Sequence, residues 1–167
     1  YGLQADGVYA TQAEADKANL VNSSMQAYQA GDVRFIDQNN DGRIDIKDRI
    51  SLGSAAPDYF GGFYTNFRYR HFALSAEFAY SKGNKAYNAV RRTLESASSF
   101  SNQSVAVSNR WSVEGQVTDM PRATFGDAIG NNNFSSRWIE DASYLRIKNI
   151  TLSYNFDKPI WNFFRSG

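Results

Sequence analysis

The chain has 167 residues and a formal net charge of +1. That is room for one domain with its own core, and a charge balance that favours neither nucleic acid nor an acidic partner. It has no Cys, which excludes a disulfide framework, thiolate zinc sites and cysteine catalysis. No run of about 18 apolar residues occurs, so no helix of it spans a bilayer, yet aromatic residues reach 15%. Tyr1 stands where an initiating Met would be and no signal peptide is visible, so a piece of a longer protein is expected.

Residues 1–30 are polar and Ala-rich, and a helix is expected to start near Thr11, where Glu14 and Asp16 make the first turn acidic. GDVRFI (31–36) reads as a short strand running into DQNNDGRIDIKD (37–48). That loop sets four carboxylates into twelve residues, and they repel one another unless something cationic lies among them. The spacing follows the EF-hand rule: Asp37, Asn39 and Asp41 at alternate positions, then Gly42 for the sharp turn. Arg43 follows through its backbone carbonyl, then Asp45 and finally Asp48. Oxygen ligands in that order suit a hard cation, so a structural Ca2+ is expected. Asp in place of Glu at the last position shortens the reach of the usual bidentate ligand. The competing reading is an Asx-turn-rich surface loop without metal. Residues 51–58 hold Gly, Pro and small side chains and read as an irregular connection.

From residue 59 the pattern changes to a period of two, the mark of a half-buried strand. In YFGGFYTNFRYR, Phe63, Thr65, Phe67 and Tyr69 fall on one face, and Tyr64, Asn66, Arg68 and Arg70 on the other. In FALSAEFAY, Phe72, Leu74, Ala76, Phe78 and Tyr80 share a face opposite Ala73, Ser75, Glu77 and Ala79. A tight hairpin at Arg70–His71 joins the two. Residues 81–142 are Ser-, Asn- and Gly-rich with no sustained period, too long for an ordinary connection inside a compact domain. A third strand follows in YLRIKNITLSYNF (144–156). Its apolar residues are odd-numbered at Leu145 and Ile147 but even-numbered from Ile150 to Phe156, so a β-bulge is expected at Lys148–Asn149. On this reading, loss of Asn149 sets the two halves of the strand in conflict. DKP (157–159) then makes a turn, and WNFF (161–164) opens another strand.

Very short connections at one end of the sheet, very long ones at the other, and strands of about ten residues together mark a transmembrane β-barrel. Tyr59, Phe60, Tyr69, Tyr80, Tyr154 and Phe156 lie near strand ends, where a membrane girdle needs aromatics. Alternation alone serves equally well for a soluble antiparallel sheet. Three or four strands do not close a barrel, which needs about eight.

Four separated stretches resemble one family. They are GDVRFIDQNNDGRIDIKDR with LGSAAPDYFGGF, SSRWIEDASYLRIKNITLSY, the opening YGLQADGVYATQAEAD, and NRWSVEGQVTDMPRA. In their order along the chain they resemble the SusC/RagA family of TonB-dependent outer-membrane transporters across nearly the whole chain. Arg110–Trp111 is followed by Ser-Val-Glu-Gly-Gln, where the family has Pro-Glu-Asn-Pro-like residues. The resemblance implies an all-β fold: an antiparallel transmembrane segment of a 22-stranded plugged barrel with long extracellular loops. It implies an extracellular region over 1–58 carrying the calcium loop 37–48, and a barrel hairpin over 59–80. A long extracellular loop over 81–142 follows, then a strand, a periplasmic turn and the start of the next strand over 143–167. It further implies nutrient import, of glycans or peptides, across a Gram-negative outer membrane of the Bacteroidetes kind, without covalent chemistry. The partners are the rest of the barrel, membrane lipid, a SusD-like lipoprotein lid and TonB acting through the plug, with no nucleic acid.

The other chemistry-bearing residues have plain readings. His71 sits in the tight turn, and Glu140 and Asp141, adjacent on a strand, point to opposite faces. Phe100, Trp111, Phe125, Phe134 and Trp138 serve equally as a stacking surface for glycans or a lid and as anchors of the loop itself. The alternative to a transporter segment is a secreted, calcium-stabilised β-rich binding module.

Overall fold

The structure, a computed structural model, describes residues 1–156. The turn expected over 157–159 and the strand expected from 161 lie outside the described residues. The chain divides into two compact units, one of Tyr1–Gly53 with Ala86–Glu140, the other of Ser54–Lys85 with the residues from Asp141 on.

The first unit is built from short ladders. Strand β1 (Gly2–Leu3), β2 (Ala5–Val8), helix α1 (Gln12–Ala18), β3 (Val21–Asn22), β4 (Val33–Phe35), β5 (Arg43–Ile44) and β6 (Arg49–Ile50) follow in order. β1 pairs antiparallel with β6, β2 antiparallel with β4, and β3 parallel with β5. Helix α1 begins where Thr11 accepts from the Glu14 N–H, and it ends on Asn19 in the left-handed conformation, φ 49°. Leu3, Tyr9, Ala15, Tyr28, Val33, Phe35 and Ile44 form its core together with Ile129 from the long Ser/Asn-rich segment. That segment is therefore folded. Its helix α2 (Ala89–Glu95, after the short strand β9, Lys85–Tyr87) is capped by Asn88, whose Oδ1 accepts from the Arg91 N–H at 2.8 Å. A further short strand, β10, spans Ile139–Asp141.

The second unit is one antiparallel sheet ordered β11–β8–β7, from β7 (Tyr59–Tyr69), β8 (Phe72–Lys82) and β11 (Tyr144–Tyr154), each of 11 residues. Tyr69 pairs with Phe72, leaving Arg70 and His71 as the whole loop, with Arg70 at φ 50°. Such a turn needs a residue at positive φ, a place glycine fills at less cost. Gly61 pairs with Tyr80, and the Tyr80 ring lies where a Gly61 Cβ would be, 2.9 Å from its hydroxyl, so the ring covers the strand's missing side chain.

The register of β11 breaks between Ile147, opposite Phe78, and Asn149, opposite Glu77. Lys148 is the extra residue, and its Nζ stands 3.8 Å from Glu77 Oε1. The expected bulge is present at the expected place. The expected consequence of losing Asn149 does not follow from this ladder. Phe78 and Glu77 are neighbours, so removing one bulge residue closes the ladder into regular alternation and inverts neither half.

Candidate functional site

Two features carry functional information: the face of the sheet and the loop region of the first unit. In the sheet, the registers put Phe63 beside Phe78 and Ile147, Thr65 beside Ala76 and Ile150, and Phe67 beside Leu74 and Leu152. Tyr69, Phe72 and Tyr154 form the last row before the turn. All lie on one face, and among the described residues of this unit nothing covers them: Phe67 is 65% exposed and Leu152 68%. The rings interlock along the face, with Phe63 stacked on Phe78 at 4.5 Å and Phe72 edge-on to Tyr154 at 4.8 Å. The opposite face holds Arg68, Asn66, Ser75, Glu77, Thr151 and Arg146. The bulge keeps Lys148 and Asn149 on that polar side and Ile147 and Ile150 on the apolar one. Strands of 11 residues, at roughly 3.3 Å each and tilted by about 40°, span roughly the 25 Å apolar band of a bilayer.

In the loop 37–48 the side chains hold the backbone. Asp37 accepts from the N–H groups of Asn40 and Gly42 at 2.8 Å each, Asn39 from Asp41 at 3.0 Å, and Asp41 from Arg43 at 3.0 Å. Gly42 takes φ 77°, which makes the sharp turn. Asp45 caps a single 3₁₀ turn, Ile46–Asp48. Fully buried Asp48 accepts from the N–H groups of Gln38 at 2.9 Å and Asp45 at 2.8 Å. Ile44 is buried in the core, as its place in the loop requires. Among the described residues, no three acidic or His side chains gather around one point that could hold a metal ion. Asx turns therefore run through the loop from Asp37 to Arg43.

A polar network that no local pattern announced ties the first unit together. Fully buried Asp32 takes a two-pronged grip from Arg122, Nε at 2.8 Å and Nη2 at 3.1 Å, plus the Asn131 amide at 3.1 Å and the Gln29 N–H at 2.9 Å. Asn131 returns its Oδ1 to the Val33 N–H at 2.7 Å. Asp127 accepts from the N–H groups of Asn131 and Asn132 at 2.8 Å each, and burial raises its carboxyl above the ordinary range. Arg137 lies 4.6 Å over the Trp138 ring and donates to Asn131 O at 3.0 Å; burial lowers its pKa to about 10.

The five loop aromatics divide. Trp138 is buried and donates its Nε1–H to Asn133 O at 3.1 Å. Trp111 packs on Gly31, where a Cβ would lie 2.5 Å from the ring, and donates to Ala10 O at 3.0 Å. Phe134 meets Tyr87 at 4.9 Å. These three are anchors. Phe100 and Phe125 touch each other at 5.2 Å and stay 95% and 74% exposed. His71 lies 5.9 Å from the Tyr154 ring in the turn, and Glu140 holds Asn88 and Arg91 at 3.1 and 3.4 Å, so neither is placed for catalysis.

Among the described residues the sheet has two unpaired outer edges, one apolar, uncovered face and one polar face, the pattern that the strands of a barrel wall show. No model of a known protein family matches the chain. TonB-dependent receptor P26 of Formosa agariphila is 30% identical over 154 residues, covering 92% of this chain and 15% of the receptor. Receptor P3 of the same organism is 31% identical over 155 residues, covering 93% and 15%. Among solved structures, that of the RagAB peptide transporter aligns with a TM-score of 0.66 at 21% identity, over 92% of this chain and 15% of that one. The closed-closed state of the RagAB peptide importer gives 0.58 at 22%, over 92% and 16%. The chain is a segment of a TonB-dependent receptor, and its fold is that of the matching part of the RagAB transporter. It spans 15% of the length of the curated relatives it matches, and those relatives are receptors rather than enzymes.

Proposed function

We propose that this chain supplies three wall strands and part of the extracellular loop region of a TonB-dependent importer in a Gram-negative outer membrane. The observation that carries this is the apolar face that runs unbroken over β7, β8 and β11 through the bulge. A soluble module would leave that face in water, at roughly 25 cal/mol for each Å² of apolar surface. Closure into a 22-stranded barrel around a plug, coupling to TonB, and a SusD-like lipoprotein lid are supported by the likeness to the RagAB structures and the TonB-dependent receptors. The cargo is a nutrient of glycan or peptide class. A spin label at Phe67 or Phe78 in the full receptor is expected to be relaxed by oxygen and shielded from a water-soluble relaxant. The reverse pattern would sink the importer reading.

We also propose a structural Ca2+ in the loop 37–48, held by Asp37, Asn39, Asp41, the Arg43 carbonyl, Asp45 and Asp48. The support is the spacing, the φ of Gly42, and Asp48 buried at the last ligand position. The bound ion would neutralise four carboxylates and hold the extracellular loop. Calorimetry on chelator-stripped receptor is expected to show one site, strongly weakened by Asp41→Ala. Absence of binding heat would leave the loop as the hydrogen-bonded Asx structure alone.

A further inference from the structure

Among the described residues, the apolar face of β7, β8 and β11 carries a single charged side chain, Lys82, at the last position of β8. It pairs with Tyr59 in the row farthest from the Arg70–His71 turn. In the adjacent row on that face Tyr80 stands between Gly61 and Leu145. A groove of about 410 Å³ opens at this corner of the sheet, and its lining includes Tyr59, Tyr80, Lys82, Ser143 and Leu145. The Tyr59 and Tyr80 rings lie 6.4 Å apart at 59°. Ser143 is a fixed part of the wall, its Oγ accepting from the Gly83 N–H at 3.0 Å. Among the described residues, neither phenol hydroxyl has a hydrogen-bond partner, and the Lys82 ammonium has no ion pair. The acidic residues of this corner are placed elsewhere. Asp58 lies against Gly83, and Asp141 accepts from the Ser143 N–H at 2.8 Å and from Lys85 at 3.4 Å.

We propose that this groove binds the phosphate headgroup of an outer-leaflet lipid. The inference rests on the importer reading, which sets the apolar face against lipid and the loop end of the strands at the extracellular surface. A lone cation at the rim of such a face must reach either water or an anion. Here the ammonium shares one groove with two phenol hydroxyls, and three donor groups without a partner call for a charged group made of acceptor oxygens, which a phosphate is. The next row inward, Phe63, Phe78 and Ile147, continues the apolar face and would lie along the acyl chains of the same molecule. A soluble anion would leave that wall unused. A second copy of the receptor packed on the face would bury Lys82 with no carboxylate beside it, which is costly. A phosphate-bearing lipid satisfies the charge, the hydroxyls and the apolar wall together.

The test uses the full receptor in detergent, with Leu145→benzoylphenylalanine placing a photoreactive ring in the groove wall. It is titrated with lipid A, a phosphorylated glycolipid, or with the same lipid stripped of its phosphates, and covalent capture is read on a gel. Capture of the phosphorylated form is expected to be the stronger. Lys82→Gln is expected to lower it about fivefold, the share of one basic residue at a lipid surface, and to erase the preference between the two lipids. Tyr59→Phe with Tyr80→Phe, which keeps both rings, should weaken capture as well. Lys85→Gln should not, because Lys85 lies outside the lining and is held by Asp141. Equal capture of the two lipids overturns the proposal, and that comparison needs no variant at Lys82. So does capture indifferent to Lys82→Gln, capture abolished by inorganic phosphate alone, or capture of a second copy of the receptor in place of lipid. A receptor that assembles in the outer membrane yet shows no preference removes only this inference. A receptor that is absent from that membrane removes the importer reading itself.

Discussion

Replacing Ile150 with arginine is expected to cut the amount of assembled receptor in the outer membrane sharply, while Thr151→Arg leaves it near normal. The two residues are neighbours in sequence and opposite in face. Ile150 sits in the middle row of the apolar face, opposite Ala76, which pairs in turn with Thr65; Thr151 pairs with Ser75 on the polar face. A basic side chain on the lipid side at the bilayer midplane costs about 2–4 kcal/mol, and on the lumen side it keeps its water. Immunoblots of outer-membrane fractions, with heat-modifiability as the sign of a closed barrel, report the difference. Equal assembly of the two variants would contradict the assignment of faces. Deleting Lys148 probes the same strand differently. Because Ile147 and Asn149 pair with the adjacent residues Phe78 and Glu77, the shortened strand alternates regularly, and both faces survive. The deletion is expected to assemble, losing only the bulge's twist and the exposed contact with Glu77, which at 3.8 Å is worth little.

These elements differ in how far the sequence discloses them, for physical reasons. The three long strands were legible because each alternates apolar and polar side chains with a period of two, and the bulge because it is a break in that parity. The start of α1 was legible from Thr11 followed by Glu14, and the turn of the loop 37–48 from Gly42 among Asx residues. Helix α2 was not. It has 7 residues, and its apolar Val90 is 70% exposed, so no core-facing stripe marks it; what starts it is the Asn88 cap. The core contribution of Ile129 was hidden for the same reason, being one apolar residue in a polar tract that packs by long-range contact. The loop aromatics illustrate the remaining limit. Composition made all five equal, and only the fold separates the anchors Trp111 and Trp138, and Phe134 packed on Tyr87 at 40% exposure, from the far more exposed pair Phe100 and Phe125.

Loss of the Arg122 guanidinium is expected to have the largest effect on the loop region. Arg122→Met should destabilise it by about 3–5 kcal/mol, because the fully buried Asp32 would keep its charge with only the Asn131 amide and the Gln29 N–H to hold it. The damage would not stay at one residue. Arg122 also donates its backbone N–H to Gly31 O, and Asp32 lies between that carbonyl and the Val33 N–H that Asn131 accepts. The pair joins segments 90 residues apart and closes the stretch of chain that carries Trp111 and helix α2. Adding Asp32→Asn should return part of the loss, since the buried charge that makes the single variant costly is then gone. Neither variant touches the apolar face, so barrel assembly should persist while the loop region becomes open to protease and its amides at Gln29, Val33 and Asn131 exchange faster. Additive losses in the double variant would show that Asp32 and Arg122 do not act as a pair. Unchanged protection in Arg122→Met would show that packing of Ile129 and the neighbouring core, rather than this network, holds the long segment in place.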